Sequence, residues 1–200
     1  MEIRYLLDKL ALLETEQLLA PNGKPSNLNP VQYQQVRTPE FKSWFGDSKA
    51  VDENGEPLVV YHATNADFTE FNTDLGSGVA GKGTYVTSQK PSNDNYGTYV
   101  MPLFVRITNP IDFSSGDKAI NDKAEDLGLE GLFELTSLAH IDKWSAELKQ
   151  KLQQEGHDGA ELKGEGGARY FVAYNPNQLK SAVGNTGSFS QQSNKVHEGY

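Results

Sequence analysis

Apolar residues recur at helical spacing at the start of the chain, then give way to short apolar runs, a helical stretch, and short runs again. Ile3, Leu6, Leu7, Leu10 and Leu13 predict an amphipathic helix over residues 2–19. The breaker-rich stretch from Ala20 to Pro30 predicts a linker after it. Thr38-Pro39-Glu40 carries a hydroxyl cap, a first-turn proline and a first-turn acid, and Phe41, Trp44 and Phe45 give the helix it opens one aromatic face. Leu58-Val59-Val60-Tyr61 is β-rich and short enough for a buried strand, and a second strand is expected at Thr84–Thr87. Val100 to Ile107 predicts a longer strand, with Pro102 pointing to a sheet edge or bulge.

Residues 117–156 are helical in pattern, with Ile141, Trp144, Leu148 and Leu152 on one stripe and Gly156 as the stop. Gly159–Leu162 and Arg169–Tyr174 read as two more strands, joined by the flexible turn Gly164-Glu165-Gly166-Gly167. The tail from Ser188 is polar and expected to fray. Strands cluster between helical stretches without regular alternation, so the pattern predicts an α+β fold rather than a doubly wound one.

Composition narrows the picture. Two hundred residues suit one domain with flanking segments. A net charge of −9 argues against broad, non-specific grip on a phosphate backbone, although a local basic groove could still hold nucleic acid. The absence of cysteine removes disulfides and thiol chemistry, and no His/Asp/Glu spacing suggests a metal site. No apolar run is long enough for a membrane helix, and the charged N-terminus lacks the marks of a secretory signal.

Among the four histidines, His140, His157 and His197 fall where the residue is usually structural or solvated. His62 differs. It follows an apolar strand and precedes small residues, so an imidazole held there by a sheet could donate to a ribose hydroxyl while the Ala63 backbone meets a flat amide.

Two segments carry a resemblance. Tyr61-His62-Ala63-Thr64 and Gly81-Lys82-Gly83-Thr84-Tyr85-Val86 resemble two strands of ADP-ribosyltransferases of the histidine–tyrosine–glutamate type, the group of diphtheria toxin and the poly(ADP-ribose) polymerases. A closer resemblance is to the ADP-ribosyltransferase domains of phage polyvalent proteins. It rests on Thr38-Pro39-Glu40-Phe41-Lys42-Ser43-Trp44-Phe45-Gly46, on Thr108-Asn109-Pro110, and on Asn175-Pro176-Asn177-Gln178-Leu179-Lys180-Ser181-Ala182.

The resemblance implies an α+β fold of two small, mainly antiparallel sheets around an NAD cleft. It divides the chain into a leader and linker over 1–35, the transferase-like domain over 36–189 and a flexible tail over 190–200. It implies that NAD is the substrate, with His62 on its ribose and the Ala63 backbone on the nicotinamide amide. Thr64 and Gly83 complete the two binding motifs. Tyr85 and Tyr96 would sandwich the nicotinamide ring, and Asn93 would contact its amide.

The family's glutamate, expected on a late strand, has no counterpart at the matching position, which Tyr170 occupies. Glu165 or Glu161 could enter from the turn, Gln178 could substitute, or catalysis could be weak. The implied function is mono-ADP-ribosyl transfer from NAD to a protein or nucleic-acid acceptor in the host cytoplasm by a phage or prophage effector. The N-terminal helix resembles capsid-packaging peptides, which implies carriage in the virion. An inactive binding or virion module, and a transferase acting on RNA, are the alternatives.

Overall fold

The computed structural model describes residues 17–66, 68–91, 97–185 and 189–197. Two short helices come first, α1 at Pro30–Gln35 and α2 at Pro39–Phe45. Strands β1 (Val60–Thr64), β2 (Thr84–Thr87), β3 (Tyr99–Val105) and β4 (Pro110–Asp112) follow. Then come α3 (Asp117–Asp126), α4 (Leu138–Gln154), β5 (Gly159–Lys163), β6 (Arg169–Ala173) and β7 (Leu179–Ser181). The expected caps form: Thr38 accepts from the Phe41 amide at 3.2 Å, and Gly156 takes a positive φ just past α4.

The seven strands join in one sheet ordered β4-β5-β6-β2-β1-β3-β7, where two sheets were expected. Only β4 and β5 run parallel. Pairing along the sheet is uneven. Strand β2 matches β6 over all four of its residues, whereas β2 and β1 share the single pair Tyr61↔Thr87. The sheet is thus continuous but nearly severed at β2–β1.

Side-chain alternation sends Val60, Val86, Leu103, Val105, Phe171 and Ala173 to one face, where they form a core with Phe71 and Val196. The opposite face is covered in two patches. Over β5, β6 and β2, helices α3 and α4 bring Ile120, Ala124, Trp144, Leu148 and Leu152 against Ala160, Val172 and Tyr174. Over β1 and β3, Phe41, Trp44 and Phe45 of α2 pack on Phe104, with Phe189 edge-on to Phe41 at 4.9 Å. Between the two patches the β2–β1 seam stays uncovered.

Pro102 costs the sheet no bond with β1. Its carbonyl accepts from Ala182 at 3.0 Å, and a strand residue points its N–H and C=O the same way, so the missing donor falls beside β7.

Three regions depart from the sequence reading. Residues 2–16 of the expected first helix lie outside the described residues, and Gln17, Leu18 and Leu19 are not helical. The expected linker is docked: Ala20 and Leu28 are buried, Asn22 bonds Asn54 at 3.1 Å, and Ser26 donates to the buried Glu56. Arg37 bonds the same carboxylate at 2.7 Å while lying over the Tyr33 ring. The tail through His197 is also tied down. Val196 bridges Thr69 and Ser181 through its backbone, and the buried Lys180 ammonium donates to the Ser193 and Lys195 carbonyls. Backbone bonding fixes these segments, and apolar patterning does not register it.

Candidate active site

The seam builds a cleft of about 510 Å³, a size suited to a small organic ligand. Hydrogen-bond parity explains its floor. Paired residues alternate between bonded and non-bonded along an antiparallel ladder. Because Pro102 faces β7, its partner Tyr61 points its backbone toward β2, and so does Ala63 two residues on. From the other side, Ser88 bonds back to Arg169 on β6, so Thr87 and Tyr85 point their backbones toward β1. The next bonded pair in this register would be Ala63 with Tyr85, and the ladder stops before it.

His62 accounts for the stop. Its Nδ1 lies 2.9 Å from the Tyr85 carbonyl oxygen, and since a carbonyl only accepts, Nδ1 carries the proton. The imidazole thereby takes the acceptor that Ala63 would otherwise use, and the Ala63 amide is left facing the cleft. The ring is wedged edge-on against Phe71 at 5.1 Å. Burial lowers the His62 pKa, only partly offset by the bond to Tyr85. A neutral ring with Nδ1–H engaged presents Nε2 as an acceptor. The sequence reading has His62 donating to a ribose hydroxyl; with Nδ1–H committed to Tyr85, the neutral ring has only an acceptor nitrogen left.

Tyr85 is held at both ends. Its hydroxyl donates to the Gly81 carbonyl at 2.9 Å and accepts from the Ala80 amide at 3.1 Å. A Cβ at Gly78 would fall 2.4 Å from that oxygen, so the loop before β2 can close on the ring only as glycine. Burial raises the phenol pKa, with the Ala80 contact opposing, so Tyr85 stays protonated. It offers a fixed aromatic surface rather than an acid or base.

A family model for ADP-ribosyltransferase in polyvalent proteins matches residues 52–189. The chain belongs to this family. No curated protein matches it in sequence. A crystal structure of an anti-CRISPR protein is similar to it at 15% identity and a TM-score of 0.34, over 58% of this chain and 88% of that one.

Within this ADP-ribosyltransferase-family domain, the structure brings His62, Ala63 and Tyr85 together at the cleft, with Tyr61, Thr87 and Tyr170 beside them and Gln89, Lys90 and Pro91 on the rim. Other site residues read from the sequence go elsewhere. Thr64 turns its hydroxyl to the Ala66 amide at 3.1 Å. Gly83 is a packing position, where a Cβ would meet the Ala173 carbonyl oxygen and Val172, each at 2.7 Å. Asn93 and Tyr96 lie outside the described residues.

The candidates for the third group also separate. Gln178 is buried, with Nε2 donating to the Arg106 and Asp158 carbonyls and Oε1 accepting from Asn175. It organises a turn and does not line the cleft. Glu161 pairs with Arg169 at 2.8 Å, and that guanidinium also bonds the Lys49 and Val51 carbonyls. Glu161 is opposite Phe171, which is buried in the core, and neither Glu161 nor Arg169 lines the cleft. Glu165 sits exposed on the short turn Glu165–Gly167, whose Gly166 carbonyl accepts from the rim residue Gln89 at 3.4 Å. Tyr170 stands in the cleft itself, opposite Thr87.

Sequence reasoning passed over Tyr61, Thr87 and Lys90 as site residues. For Tyr61 and Thr87 the signal was the period of two. Positions 61 and 63 on β1, and 85 and 87 on β2, share a face, so motif residues on one strand carry their second neighbours into the same cleft. Among the described residues no group of His, Asp and Glu could hold a metal ion.

Proposed function

We propose that the cleft binds NAD and transfers its ADP-ribose to a host macromolecule. The observation that carries this reading is the opened Ala63–Tyr85 register, in which one backbone amide, one histidine acceptor and one fixed tyrosine ring converge. In this reading the Ala63 backbone meets the nicotinamide carboxamide, the Tyr85 ring lies against the nicotinamide, and His62 Nε2 accepts a ribose hydroxyl proton. A cationic ring against an aromatic face gains about 0.5–2 kcal/mol.

The bond from nicotinamide to ribose breaks with its electrons leaving on the ring nitrogen, so neutral nicotinamide departs. The ribose carbon passes through an oxocarbenium-like state and bonds to the acceptor nucleophile, which loses its proton. The protein contributes orientation and preorganised dipoles. In this reading Glu165 is the carboxylate that reaches this centre. Glycine at 164, 166 and 167 lets its turn adjust, and the Gln89 contact ties that turn to the rim.

Incubating the protein with host lysate and NAD labelled on the adenylate tests this. Label fixed to a macromolecule, with nicotinamide released, is expected; both are lost in Tyr85→Ala. Absence of fixed label and of released nicotinamide in the wild type sinks the enzyme reading. It would favour instead a binding module that keeps the fold, a reading drawn from Tyr170 standing where the family resemblance expects an acid.

A further inference from the structure

Tyr170 puts an exposed aromatic plane in the cleft at the position where the family resemblance expects a carboxylate. Its side chain is substantially open, at 40% exposure for the residue. The ring rests on the glycine backbone of the β5–β6 turn: a Cβ at Gly164 would lie 2.3 Å from Tyr170 Cε2. One ring edge is thereby pinned while the rest of the plane stays accessible from the cleft. Tyr61, Thr87 and Tyr170 form one cross-strand row. With strands about 4.8 Å apart, the small Thr87 leaves room for a flat group between two aromatic neighbours.

Among the described residues, one cation lines this end of the cleft. No described lining residue is a carboxylate, and Lys90 on the rim forms no ion pair among the described residues. That arrangement suits a planar ring attached to a phosphate.

We propose that Tyr170 is the stacking platform for an unpaired nucleobase of a single-stranded nucleic acid, with Lys90 beside its phosphate. The proposal deepens the NAD reading by naming the acceptor class of that same cleft. Stacking on an aromatic face tolerates any base and needs only a local cation, which reconciles nucleic-acid binding with a chain of net charge −9.

Anisotropy of a short fluorescent single-stranded oligonucleotide, with the full chain at low salt, tests it. Wild type and Tyr170→Phe are expected to bind, and Tyr170→Ala to bind about tenfold more weakly. Lys90→Glu, on the exposed rim, is expected to weaken binding and flatten its salt dependence, and it probes the same surface should Tyr170→Ala unfold. Saturating ADP-ribose is expected to leave the oligonucleotide bound. The proposal falls if no oligonucleotide binds, if Tyr170→Ala binds like wild type, or if ADP-ribose displaces the oligonucleotide. It falls equally if an arginine-rich peptide binds more tightly. Failure of the NAD reading is separable: oligonucleotide held through Tyr170 with no nicotinamide released from NAD leaves the platform standing and removes the transfer.

Discussion

Strand β2 has two neighbours and treats them in opposite ways. Against β6 every residue of β2 is paired, Gly83 lets the strands approach, and Phe171 and Val172 fill the cores on both faces. Against β1 one pair forms and the ladder stops, because the His62 ring takes the Tyr85 carbonyl. The first edge is ordinary close packing. The second leaves backbone groups unpaired by design, and a ligand can use what a sheet would have consumed. The lesson is that a binding site was made by interrupting a strand pair, with a closed pair next to it keeping the interrupted strand rigid.

That contrast can be broken or sharpened at four points. The largest effect is expected on the closed edge. Phe171→Ala removes a fully buried ring from the β6 side of β2 and should cost about 3–5 kcal/mol in urea unfolding. A loss no greater than that of an exposed residue would mean the β2–β6 edge does not support the site. Next, Gly83→Ala drives a methyl into the Ala173 carbonyl and Val172, and is expected to lose about 1–3 kcal/mol, since neither atom can swing away.

The open edge should respond in function instead. In His62→Asn the amide nitrogen replaces Nδ1 as donor to Tyr85, and no group remains at Nε2. Stability is expected to change by about 1 kcal/mol or less, while nicotinamide release from NAD falls about tenfold, the worth of one hydrogen bond. His62→Gln puts a polar group near Nε2 without the bond to Tyr85. If the asparagine variant cleaves NAD like wild type and only the glutamine variant fails, His62 is a wedge and not a ligand contact.

The smallest effect concerns pH. Burial holds the folded His62 pKa below its unfolded value of 6.5, so between the two values the unfolded chain binds the extra proton. Stability should therefore be fully present above about pH 6.5 and decline as pH falls toward the folded pKa. His62→Asn should flatten that slope relative to wild type, measured as urea midpoints at neutral and mildly acidic pH. An unchanged slope would show that the histidine titrates freely.

Much of this was legible beforehand where local chemistry suffices. The cap at Thr38, the stripe of Trp144, Leu148 and Leu152, and the β5–β6 hairpin around its glycines all follow from short-range pattern. Strands β4 and β7 escaped because three residues carry too little periodicity, and each exists only through a partner distant in sequence. The docking of residues 20–28 and 189–197 escaped for a related reason. Buried Glu56 and Lys180 fasten those polar segments, and a buried charge is invisible until its partners are assembled.

For the site, the sequence by itself determined which residues share a strand: His62 beside Ala63, and Tyr85 after its glycines. Tertiary structure decided where the pairing stops, which imidazole nitrogen is free, and that Gln178 and Glu161 are spent on carbonyls and an arginine away from the cleft. The physical reason is that strand character is written in neighbouring residues, whereas a hydrogen bond's partner is chosen only when two strands meet.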